Sequence, residues 1–219
     1  MNQQTYTQAN LPTLEINKVL RNTYMLLSMT LLFSAFTAGI AMMLGIGPMV
    51  SLGLGIGALI PLFITYKNAE QASGIFWIFA FTGMEGASLG WILNHYAGMD
   101  NGPQLIMQAL GLTSIIFLSL SAYVITSKKD FSFMKGFIFA GLIVMLVSVI
   151  ASFFIQSTVF FLALNAGIAL LMTALILFDT SRIVHGGETN YIRATIALYL
   201  DFINLFISLL HLLGFANDE

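Results

Sequence analysis

The chain has 219 residues, of which 58% are hydrophobic and 8% are charged, with a formal net charge of -2 and a mean hydropathy of +0.90. A soluble domain carries roughly a quarter charged residues, so this composition excludes a water-soluble globular protein. With only eight Lys and Arg residues, nucleic-acid binding is not expected, and the lack of cysteines excludes disulfides and thiolate metal sites. A bilayer requires every backbone polar group to be paired internally. The continuous apolar stretches therefore predict an all-α, polytopic membrane protein in a lipid bilayer.

Seven apolar stretches each approach the roughly 20 residues that cross a hydrocarbon core. We predict spans near residues 22–44, 48–66, 74–96, 104–126, 136–155, 159–179 and 195–213. The first two spans are separated only by Gly45-Ile46-Gly47-Pro48, which is typical of a tight turn. The predicted organisation is an N-terminal tail, a membrane domain of seven helices and a short C-terminal tail, at residues 1–21, 22–213 and 214–219.

The basic residues predict how the spans are oriented. All eight flank one side of the predicted bundle, at Lys18, Arg21, Lys67, Lys128, Lys129, Lys135, Arg182 and Arg193. Because Lys and Arg mark the cytoplasmic side, we predict a cytoplasmic N-terminus and a C-terminus on the opposite side. Residues 1–17 lack a basic segment ahead of the apolar stretch, so we expect a cytoplasmic tail rather than a cleaved signal peptide.

Three carboxylates fall inside predicted spans: Glu85, Asp179 and Asp201. An acidic side chain at mid-membrane costs about 2.5–3.5 kcal/mol on the insertion scale, so it usually faces a partner or a wet cavity. Asp179 precedes Arg182 at the end of span six, and Asp201 follows Thr195 at the start of span seven. We therefore expect the two carboxyls to lie level, within hydrogen-bonding or one-water distance, near the cytoplasmic end.

Two carboxylates at that distance cannot both ionise cheaply, so the pair is expected to share a proton. This arrangement suits a proton-sensitive gate or a cation site. Arg182 and Arg193 of the connecting loop are placed to neutralise one of the two aspartates.

Other polar residues in the spans allow two interpretations. Asn204, Ser208 and His211 share an arc of about 80° with Asp201 at 100° per residue, which predicts either a polar path or helix-to-helix bonds. Glu85 is a functional carboxyl, or a structural one satisfied by Thr82 and Ser88. The Gly86-x-x-x-Gly90 spacing permits close helix packing.

The sequence contains no nucleophile–base pair, cofactor fingerprint or nucleotide motif, so we predict neither an enzyme nor a bound cofactor. His95, His185 and His211 lie at different depths and in different loops, so no metal site is predicted.

The aspartates lie in segments that resemble a known family. Leu177-Phe178-Asp179-Thr180 and Leu198-Tyr199-Leu200-Asp201-Phe202-Ile203-Asn204-Leu205-Phe206 are similar to the signature of the Bax-inhibitor family (transmembrane Bax inhibitor motif). The resemblance extends over all seven spans. It implies a pH-sensitive calcium leak gated by aspartates of spans six and seven, which Asp179 and Asp201 match, with Ca²⁺ bound only transiently.

The resemblance is strongest to a bacterial inner-membrane branch of the family. It is carried by residues 18–24, Phe81-Thr82-Gly83, Ser121-Ala122-Tyr123-Val124 and residues 185–195. This branch implies an alternative function, that of a non-conducting substrate and modulator of FtsH, a membrane-anchored AAA protease, with residues 1–17 as the degradation handle. Some family leak channels carry an acid–base pair in span two, whereas residues 48–66 here contain no charge.

Overall fold

The structure, a computed structural model, describes residues 13–217. Its α-helices are α1 (Thr13–Met43), α2 (Pro48–Lys67), α3 (Ser73–Ser88), α4 (Gly90–Ala97), α5 (Gly102–Ser127), α6 (Lys135–Ser152), α7 (Thr158–Val184) and α8 (Tyr191–Asn217). A 3₁₀ turn, Ser132–Met134, precedes α6. Within the described residues seven spans are long and apolar enough to cross a bilayer, with α3 and α4 forming one of them. The predicted all-α bundle of seven membrane helices is confirmed.

Several helices extend beyond the predicted spans. α1 begins at Thr13, nine residues before position 22, and α7 continues to Val184. α8 begins at Tyr191 and continues through Asn217, so most of the predicted C-terminal tail is helical. Hydropathy indicates which residues lie in the hydrocarbon core. A helix can extend beyond that core for as long as its backbone hydrogen bonds continue, so its ends differ from those of the apolar stretch. Residues 1–12 and 218–219 of the predicted tails lie outside the described residues.

α8 lies at the centre of the bundle and α6 at its edge. Of the apolar window of α8, 56% is buried inside the protein, compared with 6% for α6. α8 packs against α1, α3, α5 and α7, while α6 packs mainly against α7. The longer of the two segments that resemble the family signature, residues 198–206, therefore lies on the central helix.

The loops that carry basic residues meet at one end of the bundle. The Asn190 side chain donates to the Ala69 carbonyl at 2.8 Å, and His185 Nε2 lies 3.1 Å from the Lys128 carbonyl. These contacts join the loops after α2, α5 and α7, and we call this side the basic end. There the Ser132 backbone N–H donates to Asp130 at 2.8 Å and lowers the pKa of that exposed carboxyl.

The third span is interrupted halfway, between α3 and α4. The Leu89 N–H donates to the Gly86 carbonyl at 3.1 Å, a 3₁₀-type bond in place of an α-helical one. The Ser88 hydroxyl donates to the Glu85 carbonyl at 2.6 Å, and the Ser51 hydroxyl of α2 donates to the Ser88 carbonyl. Hydroxyl groups thus satisfy the carbonyls at the interruption, as helix breaks inside a membrane require.

Candidate functional site

α7 brings Asp179 to the basic end, where it pairs with an arginine. Asp179 is 8% exposed, and Arg182 Nη1 donates to its Oδ1 at 3.2 Å. The second Arg182 nitrogen lies 3.5 Å from Glu188 of the following loop. Arg182 therefore bridges a buried carboxylate of α7 and a carboxylate of the α7–α8 connection. It reaches Asp179 because it follows that residue by about one helical turn.

Asp201 lies on α8 without such a partner. It is 4% exposed, and its Oδ2 is buried with no hydrogen-bond partner among the described residues. Elsewhere in the described chain only Thr23 Oγ1 shares this condition. The charge of Asp179 acts on the Asp201 carboxyl, so the two predicted gate residues lie within electrostatic range of each other.

Neutral polar groups of α1 and α5 lie beside Thr180, the residue that follows Asp179. The Tyr24 hydroxyl of α1 lies 3.4 Å from Thr180 Oγ1, and Ser121 of α5 lies 3.5 Å from the same atom. Tyr66 of α2 lies within electrostatic range of Asp179 and Glu188. Arg193, the other predicted neutralising residue, instead contacts Glu70 at 3.5 Å, where the Glu70 side chain is 80% exposed.

The polar residues that follow Asp201 along α8 have separate surroundings. The Asn204 side chain donates to the Leu200 carbonyl of its own helix at 2.8 Å, and Ser208 is buried. His211 Nδ1 lies 2.8 Å from Asn165 Oδ1 of α7, which is a helix-to-helix bond. The sequence grouped these residues by angle alone and did not reveal which helix each one faces.

Glu85 is half-buried, and its expected partners bond elsewhere. The Ser88 hydroxyl donates to the Glu85 main-chain carbonyl, and the Thr82 hydroxyl donates to the Phe79 carbonyl at 3.4 Å. Both hydroxyl protons therefore go to main-chain carbonyls, because a helical Ser or Thr reaches the carbonyl of the preceding turn more readily than a side chain.

Sequence reasoning did not single out the buried bonds of Tyr199. Its hydroxyl lies 2.6 Å from the Ser34 hydroxyl of α1 and donates to the Thr82 carbonyl of α3 at 3.4 Å. The side chain is fully buried at the centre of the bundle. These bonds could have been predicted from a tyrosine in the middle of an apolar helix, because a buried phenol hydroxyl needs a hydrogen-bond partner.

The described residues hold no group of three or more His, Cys, Asp or Glu side chains that could ligate a metal. His185 bonds Ser181 and Lys128 at the basic end, whereas His211 packs against Tyr96 and Phe161 in the opposite half of the bundle.

Comparison with known proteins places the chain in a family. The family model described as inhibitor of apoptosis-promoting Bax1 matches residues 16–218. An uncharacterised membrane protein of Vibrio cholerae is 55% identical over 94% of this chain and 93% of its own length. Two Escherichia coli proteins, named modulator of FtsH protease YccA and inner membrane protein YccA, are each 48% identical over 94% of both chains. The chain is therefore a member of the Bax-inhibitor family of membrane proteins.

Proposed function

We propose that this protein is a pH-sensitive cation leak, with Asp179 and Asp201 as its gate and Ca²⁺ as the ion that passes. The observation that carries the proposal is the Asp201 carboxyl, which is buried without a hydrogen-bond partner for Oδ2 among the described residues. Buried polar atoms are normally paired, and ionisable residues inside membranes tend to mark ion or proton pathways. The proposal requires no catalytic step and no resident cofactor.

The charges around the pair give the gate its mechanism. With a proton on Asp201, the group of Asp179, Arg182 and Asp201 has no net charge. Loss of that proton leaves two like charges in a region where Coulomb repulsion is stronger than in water. The repulsion separates α7 from α8 at the basic end, and a cation that enters between the carboxylates balances them. Low pH then closes the leak and higher pH opens it. Besides Arg182 and Asp201, the titratable groups that interact electrostatically with Asp179 are Glu188 and Tyr66.

Ion flux in liposomes containing the purified protein tests this proposal. We expect Ca²⁺ flux to rise with pH, and Asp201→Asn to flatten the pH dependence because the amide cannot lose the proton. The matched control is Asp130→Asn, which removes a carboxylate exposed outside the spans at the same end and is expected to leave the pH profile unchanged. An unaltered profile in Asp201→Asn, or no flux in the native protein, would contradict the proposal.

A second candidate function is modulation of a membrane protease without ion conduction. The observation in its favour is the name of the Escherichia coli relative, modulator of FtsH protease, at 48% identity. In this proposal the N-terminal tail is the handle that the protease engages. Of residues 1–17, residues 1–12 lie outside the described residues, and α1 begins at Thr13.

Deleting residues 2–12 tests the second function and leaves α1 whole. We expect the shortened protein to live longer in cells than the native one, because a protease needs an accessible segment to begin. Asp201→Asn serves as the control and is expected to leave the lifetime unchanged. A lifetime unaffected by the deletion would contradict the handle. The two functions would be separated if Asp201→Asn altered the flux with a normal lifetime, and the deletion altered the lifetime with a normal flux.

A further inference from the structure

A groove separate from the aspartate pair runs along α2 towards the middle of the membrane. Its volume is about 540 Å³, and it extends along α2 from Pro48 to Leu62, with α3, α4 and α8 as the facing walls. Pro48 is the first residue of α2, at the end opposite the basic end. The lining is mostly apolar, and its polar side chains are Ser51, Glu85, Ser88 and Asn204.

Glu85 is the one charged residue that lines this groove, and no Lys or Arg lines it. It is the thirteenth residue from the start of α3, which places it roughly 18 Å along the helix at 1.5 Å per residue. The charge of Glu85 acts on Tyr199, whose hydroxyl bonds Ser34 and the Thr82 carbonyl. The carboxyl therefore has no protein counter-charge in the groove, and when ionised it needs one from outside.

The other polar groups offer oxygen atoms rather than charges. Asn204 uses an N–H to bond the Leu200 carbonyl, which leaves its Oδ1 as an acceptor. Ser88 donates its hydroxyl proton to the Glu85 carbonyl, which leaves the lone pairs of its oxygen available as acceptors. The helix interruption at Leu89 lies beside them. In membrane transporters, interrupted helices at mid-membrane supply oxygen ligands to coupling cations.

We propose that Glu85, Asn204 and Ser88 form a binding site for a monovalent cation of sodium size, which keeps water molecules as its remaining ligands. One carboxylate balances one positive charge, so the occupied site is neutral in a medium where net charge is costly. Ca²⁺ takes six to eight oxygen ligands, commonly with several carboxylates, and would leave a net positive charge here. The inference goes beyond the proposed leak, since this groove lies against α2 and α3 and does not include Asp179 or Asp201.

Carbodiimide labelling of the full-length purified protein tests the site. Dicyclohexylcarbodiimide partitions into membranes and adds to protonated carboxyls, and peptide mass spectrometry locates the adduct. In choline chloride we expect Glu85 to be labelled, and we expect Na⁺ to protect it by displacing the proton. Asn204→Leu should require about tenfold more Na⁺ for the same protection, as the loss of one ligand of about 1.4 kcal/mol predicts. Ser114→Ala, whose hydroxyl bonds within α5, should leave the Na⁺ requirement unchanged.

A fluorescence measurement covers the case in which the reagent does not reach Glu85. The chain has two tryptophans, and Trp91 lines the groove with 42% of its surface exposed. In a Trp77→Phe background, Na⁺ is expected to change Trp91 emission, and the further change Glu85→Gln is expected to abolish the response. Equal labelling in Na⁺ and choline, or no response in either measurement, would overturn the site. Protection by Ca²⁺ at lower concentration than Na⁺ would overturn the monovalent assignment. Neither result depends on whether the protein conducts ions.

Discussion

Asp179 and Asp201 are chemically identical residues that the fold places in different electrostatic surroundings. Arg182 lies 3.2 Å from Asp179, whereas one Asp201 oxygen has no hydrogen-bond partner among the described residues. Because Arg182 balances the charge of Asp179, one proton on Asp201 is enough to make these three residues neutral together. Arg182 is therefore expected to set the pH at which the proposed gate opens.

Replacing Arg182 with Gln tests this role. Without the guanidinium, ionising Asp201 leaves two uncompensated charges, so the proton is held to higher pH. We expect the midpoint of the flux–pH profile to move up by about one unit, which corresponds to about 1.4 kcal/mol. Arg193→Gln is the matched control, because Arg193 contacts the exposed Glu70, and its midpoint is expected to stay in place. A downward shift in Arg182→Gln would contradict the proposed direction of gating.

At the residue scale the sequence identifies the carboxyls that lie inside spans, but it does not predict their contacts. A carboxyl inside an apolar stretch is visible in any sequence, and so Asp179, Asp201 and Glu85 could be named. The choice of Arg182 over Arg193 as the partner of Asp179 depends on where α7 ends and α8 begins. The contacts of Thr82 and Ser88 depend on rotamers, which no hydropathy pattern records.

At the element scale two glycines on either side of the interruption between α3 and α4 bring the third span close to α1. Gly86 faces the Ser34 carbonyl and the Ser34 and Thr37 hydroxyls of α1, and Gly90 faces Ala41. A methyl group at either glycine would meet these atoms. The sequence predicted close packing at this pair of glycines, but not the interruption, because a single 3₁₀ turn leaves the apolar pattern unchanged.

Gly86→Ala is expected to destabilise the protein by about 1–3 kcal/mol, the usual cost of overpacking. Gly111→Ala is the control, since no atom lies within 4 Å of the position that its Cβ would occupy. That change should be neutral or stabilising by up to about 1 kcal/mol, as helix propensity predicts. Unfolding of the purified proteins in mixed micelles with increasing denaturing detergent measures both. Equal stability of the two variants would show that α1 and α3 are not in close contact.

At the scale of the whole molecule the basic end predicts the orientation of the bundle. The loops with basic residues meet on one side, and the seven spans of the described residues are an odd number, which predicts termini on opposite sides. The number of spans could be predicted because each hydrocarbon crossing leaves a long apolar stretch. The central position of α8 could not, because packing against protein and packing against lipid select the same apolar residues.

Reporter fusions test the orientation. A reporter that is active only in the cytoplasm should be inactive when fused after Glu219 and active when inserted in the loop at residues 128–131. The reason is the clustering of positive charge on the cytoplasmic side. Activity of the fusion after Glu219 would exclude the proposed orientation.

The central helix α8 is synthesised after the seven other helices that the structure describes. α8 supplies Tyr199, whose hydroxyl bonds Ser34 of α1 and the Thr82 carbonyl of α3. Chains are made from the N-terminus at about 5–20 residues per second, so the earlier spans enter the membrane before the helix that fills the space between them exists. Until α8 enters the membrane, the inner faces of α1 and α3 have only lipid or other helices to contact. A chain that stops before α8 therefore leaves Ser34 and the Thr82 carbonyl without the Tyr199 hydroxyl.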